Sequence, residues 1–395
     1  MKFKYSKLRM IAAAVASVCA CSAMADSIPE GAAVARWRLG VELSPAFVPH
    51  TNRFLSGNND AGKSVDASFG GAVRADFVFA PNSRYGKLYP DVYQGVGVDV
   101  TAFPGGMLGT PVSAYVYQGA PIVRLGSRLS LGYEWQFGAA FGWKHSEDGP
   151  DADNNAVSTA VTARMGVGVK LVYELAPRWQ LSAGVDVLHF SNGNTSFPNA
   201  GVNTVGATVG VAYVLDASPR AGMADAAEIA QADAGRWFFD IVAYGAWRKR
   251  GVVLDDVAVL CPGSFGVGGV QFAPMRRFNR WFAAGASLDL QYDESAGMAP
   301  YYVSSSSYDD PKFYRPPFGK QISAGISAHA ELTAPVFSVN AGIGYDFVCP
   351  EGDKRFYQSL TLKTFVTERV FVNVGYRLGN FKDPQNLMLG LGVRL

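Results

Sequence analysis

Residues 185–203 read V-D-V-L-H-F-S-N-G-N-T-S-F-P-N-A-G-V-N, with His189 and Ser191 two positions apart at the end of an alternating run. If residues 180–191 form a strand, Leu181, Ala183, Val185, Val187, His189 and Ser191 share one face, because strand side chains alternate. The other face carries Gln180, Ser182, Gly184 and Asp186, then Leu188 and Phe190. The apolar face is therefore the one that ends in a histidine and a serine. In a soluble barrel that face would be the core. In a membrane barrel the pattern is apolar-out and polar-in, so the same face meets lipid. A base and a nucleophile then sit on the outside, where lipid head groups meet acyl chains.

The N-terminus supports an exported chain. Lys2, Lys4, Lys7 and Arg9 precede a short apolar stretch at 10–20, and Ala23-Met24-Ala25 offers a small-x-small cleavage site. That is the pattern of a secretory signal peptide over residues 1–25. Cys19 and Cys21 leave with it. Beyond it, no apolar run approaches the ~18 residues of a membrane helix. The chain has 44 glycines and 17% charged residues, below the ~25% of ordinary globular chains. Export, period-2 alternation and no spanning helix fit an outer-membrane β-barrel, with a secreted β-sandwich as the alternative. A net charge of +2 points to no nucleic-acid partner and no acidic one.

Sixteen strand-like segments are separated by Gly, Asn, Asp and Pro clusters. The first eight are 34–44, 68–80, 92–103, 112–123, 128–144, 157–174, 179–191 and 201–215. A polar, Ala-rich stretch follows at 216–235. The second eight are 237–248, 265–273, 279–292, 320–333, 336–348, 356–367, 370–378 and 386–395. The halves resemble each other: Arg36-Trp37 matches Arg236-Trp237, Phe79-Ala80-Pro81 matches Phe272-Ala273-Pro274, and Arg178 and Gly184 match Arg369 and Gly375. The copies are offset by 191 residues at Arg178/Arg369 and by 180 at Leu215/Leu395, so the first carries 11 extra residues around its His-x-Ser loop. In the second copy Asn380 stands at His189 and Lys382 at Ser191. Barrel strands do not require that insertion, which marks it as a site.

Short connections such as 124–126, 175–177, 334–335 and 368–369 alternate with long ones such as 45–65, 146–156 and 294–319. Short turns in such barrels are periplasmic and long loops external. His189 and Ser191 then fall at the external end of the seventh strand, although 81–91 is long for a periplasmic turn. Cys261 and Cys349, each followed by Pro, also fall on external loops. They form a candidate disulfide in an oxidising compartment, two separate thiols being the alternative. His50, His145 and His329 show no ligand spacing, and no metal is inferred.

A serine hydroxyl is a weak nucleophile until an adjacent base takes its proton, and that base needs a third group to hold its tautomer. His189 and Ser191 lie about two residues' rise apart, roughly 6–7 Å. In the segment 201–215, Val205, Ala207, Val209, Val211 and Tyr213 form the apolar face, and extending it backward gives Asn203. His189, Ser191 and Asn203 can thus converge on the lipid side, with Asn192, Gly193 and Asn199 as amide donors for an oxyanion. Asp186 falls on the lumen side, and Arg164, Lys170, Glu174, Asp99 and Asp186 read as a lumen charge network.

The stretch H-F-S-N-G-(x)5-N-x-G-x-N resembles the signature of the outer-membrane lipid A 3-O-deacylases, the PagL-type enzymes, and is similar to many acyloxyacyl hydrolases. Residues 118–122 and 131–138 also look like the larger acyloxyacyl hydrolases. The resemblance covers residues 34–215 and implies an eight-stranded barrel, with His189 as base, Ser191 as nucleophile, and Asn192 and Asn199 supporting the oxyanion. The family places a glutamate where this chain has Asn203. The whole chain reads as an all-β, antiparallel transmembrane barrel protein. Residues 26–215 form a barrel repeat with the active site, 216–235 a linker, and 236–395 a degenerate second repeat. A single sixteen-stranded barrel is the alternative. The expected activity is ester hydrolysis on lipid A or a related lipopolysaccharide glycolipid, without a cofactor, in the outer membrane of a Gram-negative cell. The rival is a non-enzymatic channel, receptor or structural barrel.

Overall fold

The computed structural model describes residues 34–80, 83–145, 154–215, 235–254, 257–301, 312–381 and 383–395. The expected signal peptide, and residues 216–234 of the expected linker, lie outside the described residues. The chain divides into two compact units, each holding a closed antiparallel barrel of eight strands.

In the first barrel β1 (Val34–Phe47), β2 (Ala67–Phe79), β3 (Tyr93–Ala102) and β4 (Gly109–Arg124) pair in chain order. They continue through β5 (Leu129–Trp143), β6 (Val161–Ala176), β7 (Trp179–Ser191) and β8 (Val202–Val214). Closure comes from β1 against β8, where Leu39 faces Tyr213 and Leu43 faces Val209. The second barrel contains β9 (Trp237–Arg248), β12 (Phe265–Arg277), β13 (Phe282–Asp293) and β16 (Ile322–Thr333). It is completed by β17 (Phe337–Val348), β18 (Phe356–Phe365), β19 (Val370–Gly379) and β20 (Asp383–Arg394), with β20 closing on β9. A single sixteen-stranded barrel is thereby excluded. The sequence reading missed two ribbons in the connections, β10 (Gly251–Leu254) with β11 (Val257–Leu260) and β14 (Ala299–Tyr301) with β15 (Lys312–Tyr314). The overlong 81–91 connection holds a one-turn helix, Arg84–Leu88, whose Gly86 N–H donates to Ser83 Oγ at 3.0 Å.

The alternation runs in the direction read from the sequence. On β7 Trp179, Leu181, Val185 and Val187 are exposed, whereas Asp186, Leu188 and Phe190 are buried. Exposed apolar residues recur on every barrel strand but β5, among them Leu39, Val73, Val100, Val167 and Val209. Such a surface suits hydrocarbon, and barrel closure leaves no backbone edge unpaired there.

Each lumen is filled by paired charge. In the first, Arg74 donates to Glu42 at 2.7 Å and to Glu134 at 2.6 Å, and Lys170 donates to the same two carboxylates at 2.7 and 3.2 Å. The Arg74 guanidinium also lies over the Tyr117 ring, 3.9 Å from its centroid. Arg164 pairs with Asp99 at 3.2 Å and stacks on Tyr115. The expected network is present around Arg164, Lys170, Asp99 and Asp186, all buried, while Glu174 is half-exposed. The second lumen repeats the arithmetic: Lys363 and Arg394 both bridge Asp240 and Glu331, at 2.6–2.7 Å. Buried charges persist only when opposed and hydrogen-bonded. Above the first network an apolar cluster of Val48, Leu55, Trp143, Leu188, Phe190 and Val202, with neighbours, plugs the barrel end.

The expected disulfide is not formed: Cys261 and Cys349 are free thiols. Cys261 is buried directly after β11, its N–H donating to Arg250 O at 2.8 Å, and Arg250 in turn pairs with Asp353. Cys349 is half-buried on a different loop. Two Cys-Pro sites on loops at one barrel end do not suffice, because a bond needs Cβ atoms within about 3.5–4.5 Å.

Replacing Arg74 by Met should strand Glu42 and Glu134 against a single lysine and cost ~3–5 kcal/mol, measured by urea unfolding in lipid vesicles. Burial pushes both thiols above their ordinary pKa. In unreduced protein at neutral pH, alkylation of both should therefore be slow, slowest at Cys261, and should quicken on unfolding. Mass spectrometry of the alkylated peptides reads this directly.

Candidate active site

Register decides which side chains meet at the end of β7. His189 faces Asn203 of β8 on one side and Met165 of β6 on the other, and Ser191 faces Ala163. His189, Ser191 and Asn203 are all partly exposed on the outward face, at the barrel end that carries the longer connections 48–66, 144–160 and 192–201. The expected convergence of these residues on one face is what the register provides. The contact is direct: His189 Nδ1 and Asn203 Oδ1 are 2.7 Å apart. An amide oxygen only accepts, so with the amide in this orientation Nδ1 carries the proton and Nε2 presents a lone pair.

The 192–201 loop folds back onto the serine. Asn199 Nδ2 donates to Ser191 Oγ at 2.9 Å, and Asn199 Oδ1 accepts the Asn192 N–H at 3.0 Å. Asn192 itself is buried, its side-chain amide donating to Ser158 Oγ at 3.0 Å. The backbone N–H of Asn192 is thus engaged at Asn199, and one of its two side-chain N–H groups at Ser158. Asn199 has one N–H engaged at the serine and a second on the same nitrogen. Gly193 and Asn194 follow with left-handed φ of 63° and 65°, which turns the loop. Asp186, three positions before His189, faces the lumen, as its spacing implied.

Sequence reasoning missed the residues that brace this cluster. Asn203 Nδ2 lies 3.4 Å from Thr51 Oγ1, and Asn52 Nδ2 donates to Gly201 O at 2.9 Å. Their loop is anchored by Phe54 and Leu55 in the apolar plug, and Phe54 N–H donates to Asn155 Oδ1 at 3.2 Å. His50, which shows no ligand spacing in the sequence, pairs with Asp66 at 2.7 Å. Hydrogen bonds from Ser64 and His50 hold the Asp66 carboxyl below its usual range. No spacing rule links Thr51 or Asn52 to a motif about 150 positions away. Gly201 belongs to the motif and shows its reason here: its φ is +73°, and a Cβ would stand 3.1 Å from His189 Cε1 and 3.0 Å from Phe190 O.

The second barrel lacks the pair at the aligned position. Asn380 opens a three-residue connection, 380–382, and Lys382 lies outside the described residues. It does hold a serine and a histidine elsewhere. Ser327 Oγ is 2.8 Å from His329 Nε2, and His329 Nδ1 is 2.5 Å from Asn340 Oδ1, all buried in the lumen. Ser327 also donates to Asp289 Oδ2 at 2.6 Å. A hydroxyl has one proton, and an ionised carboxylate can only accept it. With Asn340 Oδ1 at Nδ1, the Nε2 lone pair of His329 and the Asp289 carboxylate compete for that one proton, and all of these groups are buried in the lumen.

In comparison with known proteins, residues 74–212 match the family model for lipid A 3-O-deacylase (PagL), and residues 237–395 match that for the C-terminal domain of acyloxyacyl hydrolase. Among solved structures the chain is similar to the outer membrane enzyme PagL, at 13% identity over 43% of this chain and 97% of that one, with a TM-score of 0.30. It is also similar to Neisserial surface protein A, at 15% identity over 45% of this chain and 96% of that one, with a TM-score of 0.26. No curated protein matches. With one family model on each barrel, the chain belongs to the PagL lipid A 3-O-deacylase and acyloxyacyl hydrolase family.

Proposed function

We propose that the first barrel hydrolyses an acyl ester of lipid A, or of a related outer-leaflet glycolipid, with Ser191 as nucleophile, His189 as general base and Asn203 as its orienting partner. One observation carries this reading: Ser191, bonded to Asn199, and His189, bonded to Asn203, lie two positions apart on the lipid-facing side of β7, at the end with the long loops. Family membership supports the reaction class, and the outer-membrane location follows from the same family and the barrel fold.

In this reading His189 Nε2 takes the Ser191 proton as Oγ attacks the ester carbonyl. The tetrahedral intermediate collapses, and the sugar hydroxyl leaves with the proton from His189. Water, deprotonated by the same imidazole, then releases the fatty acid from Ser191. Asn199 supplies an oxyanion donor through the N–H not engaged at Ser191. Met165, Ala163, Val187 and Val205 surround the pair with apolar surface on which an acyl chain can lie. The amide at Asn203 holds the imidazole tautomer but gives no charge to oppose the imidazolium. In a serine triad the Asp-to-Asn exchange costs ~10⁴ in rate through the wrong tautomer; with the tautomer held, only the electrostatic part of that loss remains, and turnover is expected to be slower than with a carboxylate. The channel version of the rival reading is disfavoured for the first barrel, whose lumen is occupied by the Arg74–Glu42–Lys170–Glu134 quartet and capped by the apolar plug.

Ser191→Ala should abolish deacylation while the barrel still folds, as judged by heat-dependent mobility on gels. The readout is the mass spectrum of lipid A from cells with and without the variant, and unchanged deacylation would remove Ser191 from the mechanism. Gly201→Ala should push the His189 ring by a few tenths of an ångström and strain a left-handed position. A fall in activity is expected, with the ~10²-fold cost of a misplacement of about 1 Å as its ceiling. Lipid A turnover by folded variant protein in detergent measures it.

A further inference from the structure

Among the described residues of the eight strands of the second barrel, Arg276 is the only charged side chain that is exposed. The others are buried or half-buried, many of them paired in the lumen, as Arg248 is with Asp293 and Arg377 with Asp346. Arg276 is the penultimate residue of β12, and the ladder turns it outward. It faces Trp237 of β9 on one side and Ala284 of β13 on the other, in line with the exposed Val270 and Phe272. Its guanidinium lies 5.8 Å from the centroid of the Phe278 ring, and no carboxylate among the described residues pairs with it. We propose that Arg276 and the rings around it bind the phosphate of an anionic glycerophospholipid in the periplasmic leaflet of the membrane.

A cation on a lipid-facing strand is costly unless an anion opposes it. A phosphodiester is that anion at the edge of hydrocarbon, and its oxygens match the two parallel donors of a guanidinium. The depth is right, because β12 runs into the short connection 278–281, and short connections of such barrels are periplasmic. That turn is firmly built: Asn279 Oδ1 accepts the N–H groups of Trp281 and Phe282 at 2.8 and 2.9 Å. Trp237 and Phe278, 60% and 54% exposed, flank the arginine at the level where aromatic rings meet head groups. Deeper on the same face Phe239 and Phe272 stack at 5.9 Å. Beside them Ala284 faces Ala330 and Ala286 faces Ala328, a low surface for the first part of an acyl chain. Charge selects an anionic lipid over a zwitterionic one. Outside the lumen quartet, the described charged side chains at this end are Arg236, Arg276, Arg277, Arg280 and Arg369 against Glu368. The first barrel makes the contrast: its Arg124, exposed at the same end of β4, is answered within the protein by Asp91.

Native mass spectrometry tests this on the whole chain, folded in detergent, stripped of lipid and then offered phosphatidylglycerol or phosphatidylcholine. The wild type should retain one phosphatidylglycerol in preference to phosphatidylcholine. Arg276→Gln should lower that retention on the order of tenfold, the scale of a charge-assisted bidentate contact. Arg276→Lys should lower it less, since an ammonium keeps the charge without the planar fork. Trp237→Leu, which keeps the charge and removes a ring, should also weaken it. Arg369→Gln takes the same charge from another turn of the rim and should change it little. Heat-dependent mobility on gels reports folding, and unchanged retention in whichever of Arg276→Gln and Trp237→Leu folds overturns the proposal. Equal losses in Arg276→Gln and Arg369→Gln do so too, because they would show net charge acting without a site. Displacement of the lipid by an equal concentration of inorganic phosphate would assign the arginine to free phosphate instead. A dimer in place of the lipid-bound monomer would assign the face to a second copy of the chain. No turnover enters the measurement, so its outcome is independent of the Ser191 reading.

Discussion

In hydrocarbon no water is present to satisfy a backbone N–H or C=O, and a strand crossing it must pair along its whole length on both sides. Closing eight strands into a ring meets that demand, and nearly everything else in the molecule follows from it. Closure fixes the register of each strand against two neighbours, and a slip by one residue would turn every side chain to the wrong face. Register in turn sets His189 opposite Asn203 and Ser191 opposite Ala163. The site is thus a consequence of barrel geometry before it is a consequence of its own chemistry.

The same closure creates an interior too narrow for water-filled passage and too polar to be an oil core. The first barrel fills it with two carboxylates bridged by one arginine and one lysine, with tyrosine rings beneath the guanidinium groups. The second barrel arrives at the same two-against-two arrangement with Asp240, Glu331, Lys363 and Arg394. Removing one partner of such a group leaves a buried charge unopposed, which is why these networks resist piecemeal change. In the proposed reading they also move the chemistry of the first barrel outward. With the lumen packed and its end plugged by apolar side chains, a lipid-facing surface is where a nucleophile can meet an acyl ester without extracting it from the membrane.

Around the pair, neutral amides do what a single carboxylate does elsewhere. Asn199, Asn203, Asn192 and Asn52 each use both ends of an amide or its neighbouring backbone to link elements distant in sequence. Amides satisfy geometry without adding charge at a surface that faces lipid, where an unopposed carboxylate is expensive. The loss is electrostatic, since an amide does not neutralise an imidazolium. The contrast with the second barrel is instructive. Its Ser327, His329 and Asn340 have the residue types and the distances, but they are buried in the lumen, where Asp289 competes with His329 for the serine proton.

Much of this was legible in the chain before any coordinates. Period-2 alternation identified all sixteen barrel strands, and 179–191 and 237–248 coincide with the observed bounds. Alternation also put His189, Ser191 and Asn203 on the outward face and Asp186 in the lumen, because strand side chains obey a strict twofold period that local sequence reveals. The two ribbons β10–β11 and β14–β15 were invisible, being short pairings inside loops with no sustained alternation. The cysteine pairing was misjudged because adjacency in a loop region says nothing of Cβ distance or burial. Whether the strands would close as two rings or one depended on long-range pairing of β1 with β8 and β20 with β9, which no local pattern encodes. The direction of each hydrogen bond at the site was likewise decided in three dimensions. Thr51, Asn52 and Ser158 reach the motif across folded loops, and only the contacts made there determine which end of each amide donates.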